Sequence, residues 1–136
     1  MTAKEYLSQA FLLNVRISSK VAQAQSLRDT ATKASAVLSG MPHSPSRNIY
    51  RMEEAIVRMV DLENEIAEHV ECLVSLKRDI ARAINSVESE THRILLELRY
   101  LCFKDWEQIA EDMHYERRYV LKLHGQALKR VDTKSA

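Results

Sequence analysis

Apolar residues recur along this chain at steps of three and four, the spacing that lines one face of an α-helix. A first stripe runs Tyr6, Ala10, Leu13, Ile17, Val21, Ala24, Leu27, Ala31, Ala34 and Leu38. Ahead of it, Thr2-Ala3-Lys4-Glu5 has the form of a capping box: Thr2 accepts from the Glu5 amide and the Glu5 side chain returns to Thr2. The second half of this stripe is rich in alanine, which lets a partner helix approach closely. A second stripe runs Ile49, Met52, Ile56, Met59, Leu62, Ile66, Val70, Leu73, Leu76, Ile80, Ile84 and Val87. Its eleven steps cover 38 residues, a mean of about 3.5, the coiled-coil period. Between the stripes, the segment Gly40 to Asn48 holds both prolines and one of the two glycines, and reads as a loop.

At about 1.5 Å per residue each of these helices is roughly 50 Å long, and neither can bury its stripe alone. The pattern predicts a long antiparallel, coiled-coil-like helical hairpin over residues 1–88 that serves oligomerisation or partner binding. Apolar flanks such as Leu12, Val57 and Val74 favour a homodimer. Ser86, Ser89 and Thr91 are poor helix formers that favour caps, so a boundary falls near Ser86 to Glu90. Residues 89–136 form the second part: a helix from about His92 to Cys102 carrying Ile94, Leu95, Leu98 and Leu101, then a helix starting at Asp105 with Gln108 as capping-box partner. The fold class is all-α.

The stretch DWEQIAEDMHYERRYVLKLHGQALKRV, Asp105 to Val131, has the skeleton of a helix-turn-helix rather than of a continuing coiled coil. Counting Trp106 as the first position, Ile109 and Met113 face inward and Ala110 is small where the second helix crosses. His114 makes the turn and Tyr115 plugs it, while Val120 and Leu123 face inward from the second helix. Only His114 departs from the usual type, since that turn needs positive φ and glycine is its common occupant. No heptad runs through His114 to Arg118.

Composition narrows the classes. With 46% hydrophobic and 29% charged residues the chain is not disordered, and two glycines and two prolines suit long helices. The formal net charge of +1 hides a division: residues 1–48 carry a net +4, 49–90 a net −5, and 91–136 a net +2. Residues 116–134 alone carry a net +4, which marks the C-terminal end as the phosphate-facing surface. The start lacks a secretory pattern and no apolar run approaches about 18 residues, so a cytoplasmic protein with reduced Cys72 and Cys102 and no membrane partner is expected. His69 and Cys72 make half a metal site at most, and no triad or Gly-rich phosphate loop is present, so neither metal, cofactor nor enzymatic activity is expected.

Residues 91–131 resemble region 4 of the bacterial sigma-70 factors, through Leu96, Arg99-Tyr100, Ile109-Ala110, Val120, Ala127-Leu128 and Val131. The whole chain is similar to a phage and prophage family of Gram-positive bacteria, a domain of unknown function that joins a long helical half to such an end. The segments carrying that likeness are Val60 to Ile66, Leu73 to Ile80, Leu95 to Tyr115 and Lys122 to Leu128.

The resemblance implies a regulator of transcription similar to phage late-gene activators, bound to double-stranded DNA and nucleoid-associated in a bacterial host. It places the base-reading positions at Arg117, Arg118, Leu121 and Lys122. Arg117 matches an arginine of the family pattern, suited to guanine O6 and N7. Arg118 stands where the pattern has glutamate, Leu121 where it has arginine and Lys122 where it has glutamine, so the sequence read differs from the consensus −35 element. Lys104, Lys129 and Arg130 are candidate phosphate contacts. With one Trp and a coiled-coil half, the chain lacks an aromatic, basic melting segment and is not expected to open a promoter alone. Two alternatives remain: a protein-interaction module for host RNA polymerase or a sigma factor, motivated by Leu121, and a packaging component similar to small terminase subunits.

Overall fold

The computed structural model describes residues 1–38 and 45–132, with the side chains of 34–38 and 45–48 outside that description. It is all-helical, with no strand among the described residues: α1 (Ala3–Leu38), α2 (Pro45–Asn85), α3 (Glu90–Leu96) running on into a π-helical turn (Glu97–Leu101), α4 (Trp106–Met113) and α5 (Arg117–Arg130). No described helix is long and apolar enough to cross a membrane. The expected loop at 40–48 lies mostly outside the described residues. Its last part is helix instead, because α2 begins at Pro45, where a missing N–H costs nothing.

The chain divides into two compact units, Val15–Glu71 and Met1–Asn14 with Cys72–Ala136, rather than at the expected boundary of 88/89. The reason is a shared core. Tyr6, Leu7 and Ala10 of α1 and Ile80, Ala83 and Ile84 of α2, with Val87 just beyond it, cluster with Leu95, Leu96, Tyr100, Ile109, Val120, Leu123 and Ala127. The ends of the two long helices therefore belong with the C-terminal helices.

In the unit Val15–Glu71 the covered positions of α1 are Ile17, Lys20, Ala24, Leu27 and Ala31. Those of α2 are Met52, Ala55, Met59, Leu62, Ile66 and His69, accompanied by Glu65. Both sets keep strict alternating steps of three and four. Four predicted stripe residues fall outside: Val21, Ile49, Ile56 and Val70 are 50%, 41%, 42% and 41% exposed. The places of Val21, Ile56 and Val70 go to Lys20, Ala55 and His69. The apolar neighbour drew the sequence pattern off line by one residue, whereas a heptad seam depends on register before hydrophobicity. Lys20 fits because its methylene stem packs along the seam while Nζ reaches Glu65 Oε2 at 2.8 Å. Arg28 and Glu63 form a second, looser pair at 3.8 Å.

In the other unit, Thr2 and Glu5 make the expected reciprocal cap, with both bonds at 3.1 Å. Leu7, which the stripe passed over, is fully buried beside Tyr6. The boundary between α2 and α3 falls where the Ser residues placed it. Ser86 Oγ donates back to the Ala83 carbonyl at 2.6 Å, and Ser89 caps α3 through the His92 amide. Past Leu96 the helix widens, with the Cys102 amide bonded to the Glu97 carbonyl. The extra residue in this turn shifts the inward face by about 100°. Leu95, Leu96 and Tyr100 are buried, whereas the predicted core residue Ile94 is 41% exposed. Phe103 ends the element at φ 59°, with the Lys104 amide closing onto the Leu98 carbonyl.

Candidate nucleic-acid interface

Asp105 opens α4: its Oδ1 accepts from the Gln108 amide at 2.8 Å. The Gln108 side chain does not return the bond as a full capping box requires. It donates to Asp112 Oδ1 at 2.9 Å, and Lys104 Nζ donates to Asp112 Oδ2 at 2.6 Å. The Lys104 hydrogen bond holds the Asp112 carboxyl below its usual range, and the same bond raises the Lys104 ammonium. Lys104, one of the phosphate candidates, is thus already committed to a carboxylate of its own chain.

His114 adopts the left-handed conformation expected of the turn, at φ 59° and ψ 39°. The Tyr115 amide reaches back to the Ala110 carbonyl at 3.0 Å, satisfying an orphan carbonyl at the end of α4. Ile109, Val120 and Leu123 are buried as their slots require. Tyr115 is not: it stays 40% exposed and meets Tyr119 edge-on at 4.9 Å, so it does not plug the turn.

The joint between α4 and α5 is instead made by His124. Trp106 contacts its ring edge-on at 4.5 Å, Tyr100 stacks on it at 5.7 Å, and the Tyr100 hydroxyl lies 2.5 Å from its Nε2. Arg99 lies over the Trp106 ring at 4.4 Å and donates to the Lys104 carbonyl. Burial, with Lys4 and Arg99 nearby, pushes the His124 imidazole down to about 4, so the ring is neutral at pH 7. The sequence reading passed over His124, although it stands four residues after Val120 and three before Ala127, on the inward face of α5.

α5 carries five basic residues and no acidic one. Arg117, Arg118, Lys122, Lys129 and Arg130 are all exposed, and none has an ion-pair partner within 4.0 Å among the described residues. Helical spacing sorts them. Arg118, Lys122, Gly125 and Lys129 follow one another at steps of four, three and four on the side opposite the buried Val120, Leu123, His124 and Ala127. Arg117 and Leu121 lie together on one flank, and Tyr119 and Gln126 on the other. Arg117 and Arg118 therefore point about 100° apart. Arg130 stands off this face, beside a cleft lined by Ser86, Val87, Glu88, Ser89 and His92. Gly125 is a cost to the helix of about 1 kcal/mol relative to Ala. A close approach to α3 does not explain it, since a Cβ there would meet nothing within 4 Å.

No family model matches this chain, and no curated protein or solved structure shows significant similarity to it.

Proposed function

We propose that this protein is a phage-type transcriptional regulator that binds duplex DNA through a C-terminal helix-turn-helix formed by α4 and α5, with α1 and α2 as a helical hairpin that dimerises it. The observation carrying this reading is α5 itself: five cations without an ion-pair partner among the described residues, no carboxylate in the helix, and three of the cations in line on its outward face. A solvated helix of a neutral protein gains nothing from such one-sided charge. A helix facing phosphates gains counterion release from it. The left-handed His114 turn and the buried Val120 and Leu123 support the helix-turn-helix geometry, which presents the start of the second helix to the major groove. The resemblance to sigma region 4 and to the prophage family supports the same setting. In this reading Arg118 and Lys122 approach base edges, Arg117 and Leu121 border them, and Lys129 neutralises phosphate.

The test is duplex binding by fluorescence anisotropy across a salt series. A steep fall in affinity with salt, made shallower by Arg118→Ala and Lys122→Ala, supports the proposal. Binding that is undetectable at low salt contradicts it.

A second reading has one observation in its favour: Leu121 is 42% exposed on α5 in a position the sigma pattern fills with arginine. On that reading the same helix docks on RNA polymerase or a sigma factor. Leu121→Arg separates the two, because it strengthens DNA binding on the first and abolishes partner binding on the second.

A further inference from the structure

We infer that Gly125 is the point of closest approach between the α5 backbone and duplex DNA, an inference that rests on the DNA-binding reading above. The chain has two glycines, and Gly125 is the one inside a described helix. Nothing in the fold asks for it. No glycine in the described chain has positive φ, so the backbone conformation does not need one here. A Cβ at 125 would meet no atom within 4 Å, so packing does not need one either. A residue that weakens its helix and relieves no internal crowding leaves room for something outside the chain.

The surroundings say what that partner is. Gly125 lies on the outward face between Lys122 and Lys129, with Arg118 one turn further toward the N-terminus, and all four are exposed. The long side chains on either side carry positive charge, and the bare backbone sits in the gap between them. This arrangement suits duplex DNA running across the helix: Lys129 takes phosphate on one side, Lys122 and Arg118 reach into the groove on the other, and the strand between presses against the Cα. Glycine allows such an approach because it has no Cβ to hold the strand away. An apolar protein surface would gain nothing from three flanking cations.

The experiment compares wild type, Gly125→Ala and Gly125→Gln by thermal melting and by anisotropy with a labelled duplex of random sequence at low salt. Both substitutions are expected to raise Tm by about 2–6 °C, because each is a better helix former than glycine at an exposed site. Both are expected to weaken duplex binding, Ala by about tenfold and Gln by more. Gain of stability with graded loss of affinity supports the inference. If wild type binds duplex DNA and both variants bind as well as it does, the clearance role is overturned while the DNA-binding reading stands. If wild type binds no duplex at all, that reading falls and the inference falls with it.

Discussion

The hydroxyl of Tyr100 and Nε2 of His124, 24 residues apart in sequence, meet at 2.5 Å in the core and tie the π-helical turn to α5. Burial raises the phenol to about 12, so Tyr100 stays protonated and shares a neutral hydrogen bond with the imidazole of His124. Tyr100→Phe leaves a buried imidazole nitrogen without its partner and is expected to cost about 1–3 kcal/mol, read from urea unfolding.

The burial of the His124 imidazole sets an acid limit. His124 is held at about 4, below its ordinary 6.5, so between those values the unfolded chain binds more protons than the folded one. Stability is therefore full above about pH 6.5 and falls on the order of 2–3 kcal/mol as pH drops toward 4. Unfolding curves across that range should lose this slope in His124→Gln. An unchanged slope would mean that another group sets it.

Helix α3 makes a sharp distinction between near neighbours. Leu96→Ala removes a fully buried side chain and is expected to cost about 2–5 kcal/mol. Ile94→Ala, at an exposed site, should cost about 0.5 kcal/mol or less. Equal losses would contradict this inward face of α3.

His114→Gly places the residue suited to positive φ at the turn between α4 and α5. It is expected to stabilise the protein by about 1 kcal/mol, with duplex affinity unchanged. His114→Val should destabilise it, since a β-branched side chain resists that conformation.

At the α1–α2 seam, the Lys20 hydrogen bond draws the Glu65 carboxyl below its usual range. A depressed carboxylate contributes stability above its unfolded value and loses it as pH falls through the folded one. Glu65→Gln is expected to lower Tm at pH 7 and to flatten the melting profile below pH 5. Lys20→Met, which fits the seam by volume and removes the need for a partner, should melt at or above wild type when combined with Glu65→Gln.

Much of this architecture was legible because helices announce themselves by period and by caps. Thr2 with Glu5, the serines at 86 and 89, and Asp105 marked three helix starts and one end through local hydrogen bonds that do not depend on the rest of the fold. Register was less legible. Lys20, Ala55 and His69 hold seam positions against the more apolar Val21, Ile56 and Val70, because two packed helices fix which residue faces inward and the sequence ranks them by hydrophobicity alone. The inward face of α3 was hard to read for a related reason: Ile94, Leu95 and Leu96 are equally apolar, and tertiary packing chooses among them. In the candidate interface the basic residues of α5 were plain from charge. That Lys104 is paired with Asp112, and that Arg117 and Arg118 diverge, required the structure.

Selection from a pool of random-sequence duplex DNA at two salt concentrations, with wild type beside an Arg118→Ala, Lys122→Ala double mutant, puts the role of α5 to the test. The account predicts an enriched motif with wild type that is lost in the double mutant, with two-fold symmetry if α1 and α2 dimerise the chain. Recovery of no motif, with weak binding equally salt-sensitive in both proteins, would contradict it and turn the basic face of α5 toward a protein partner.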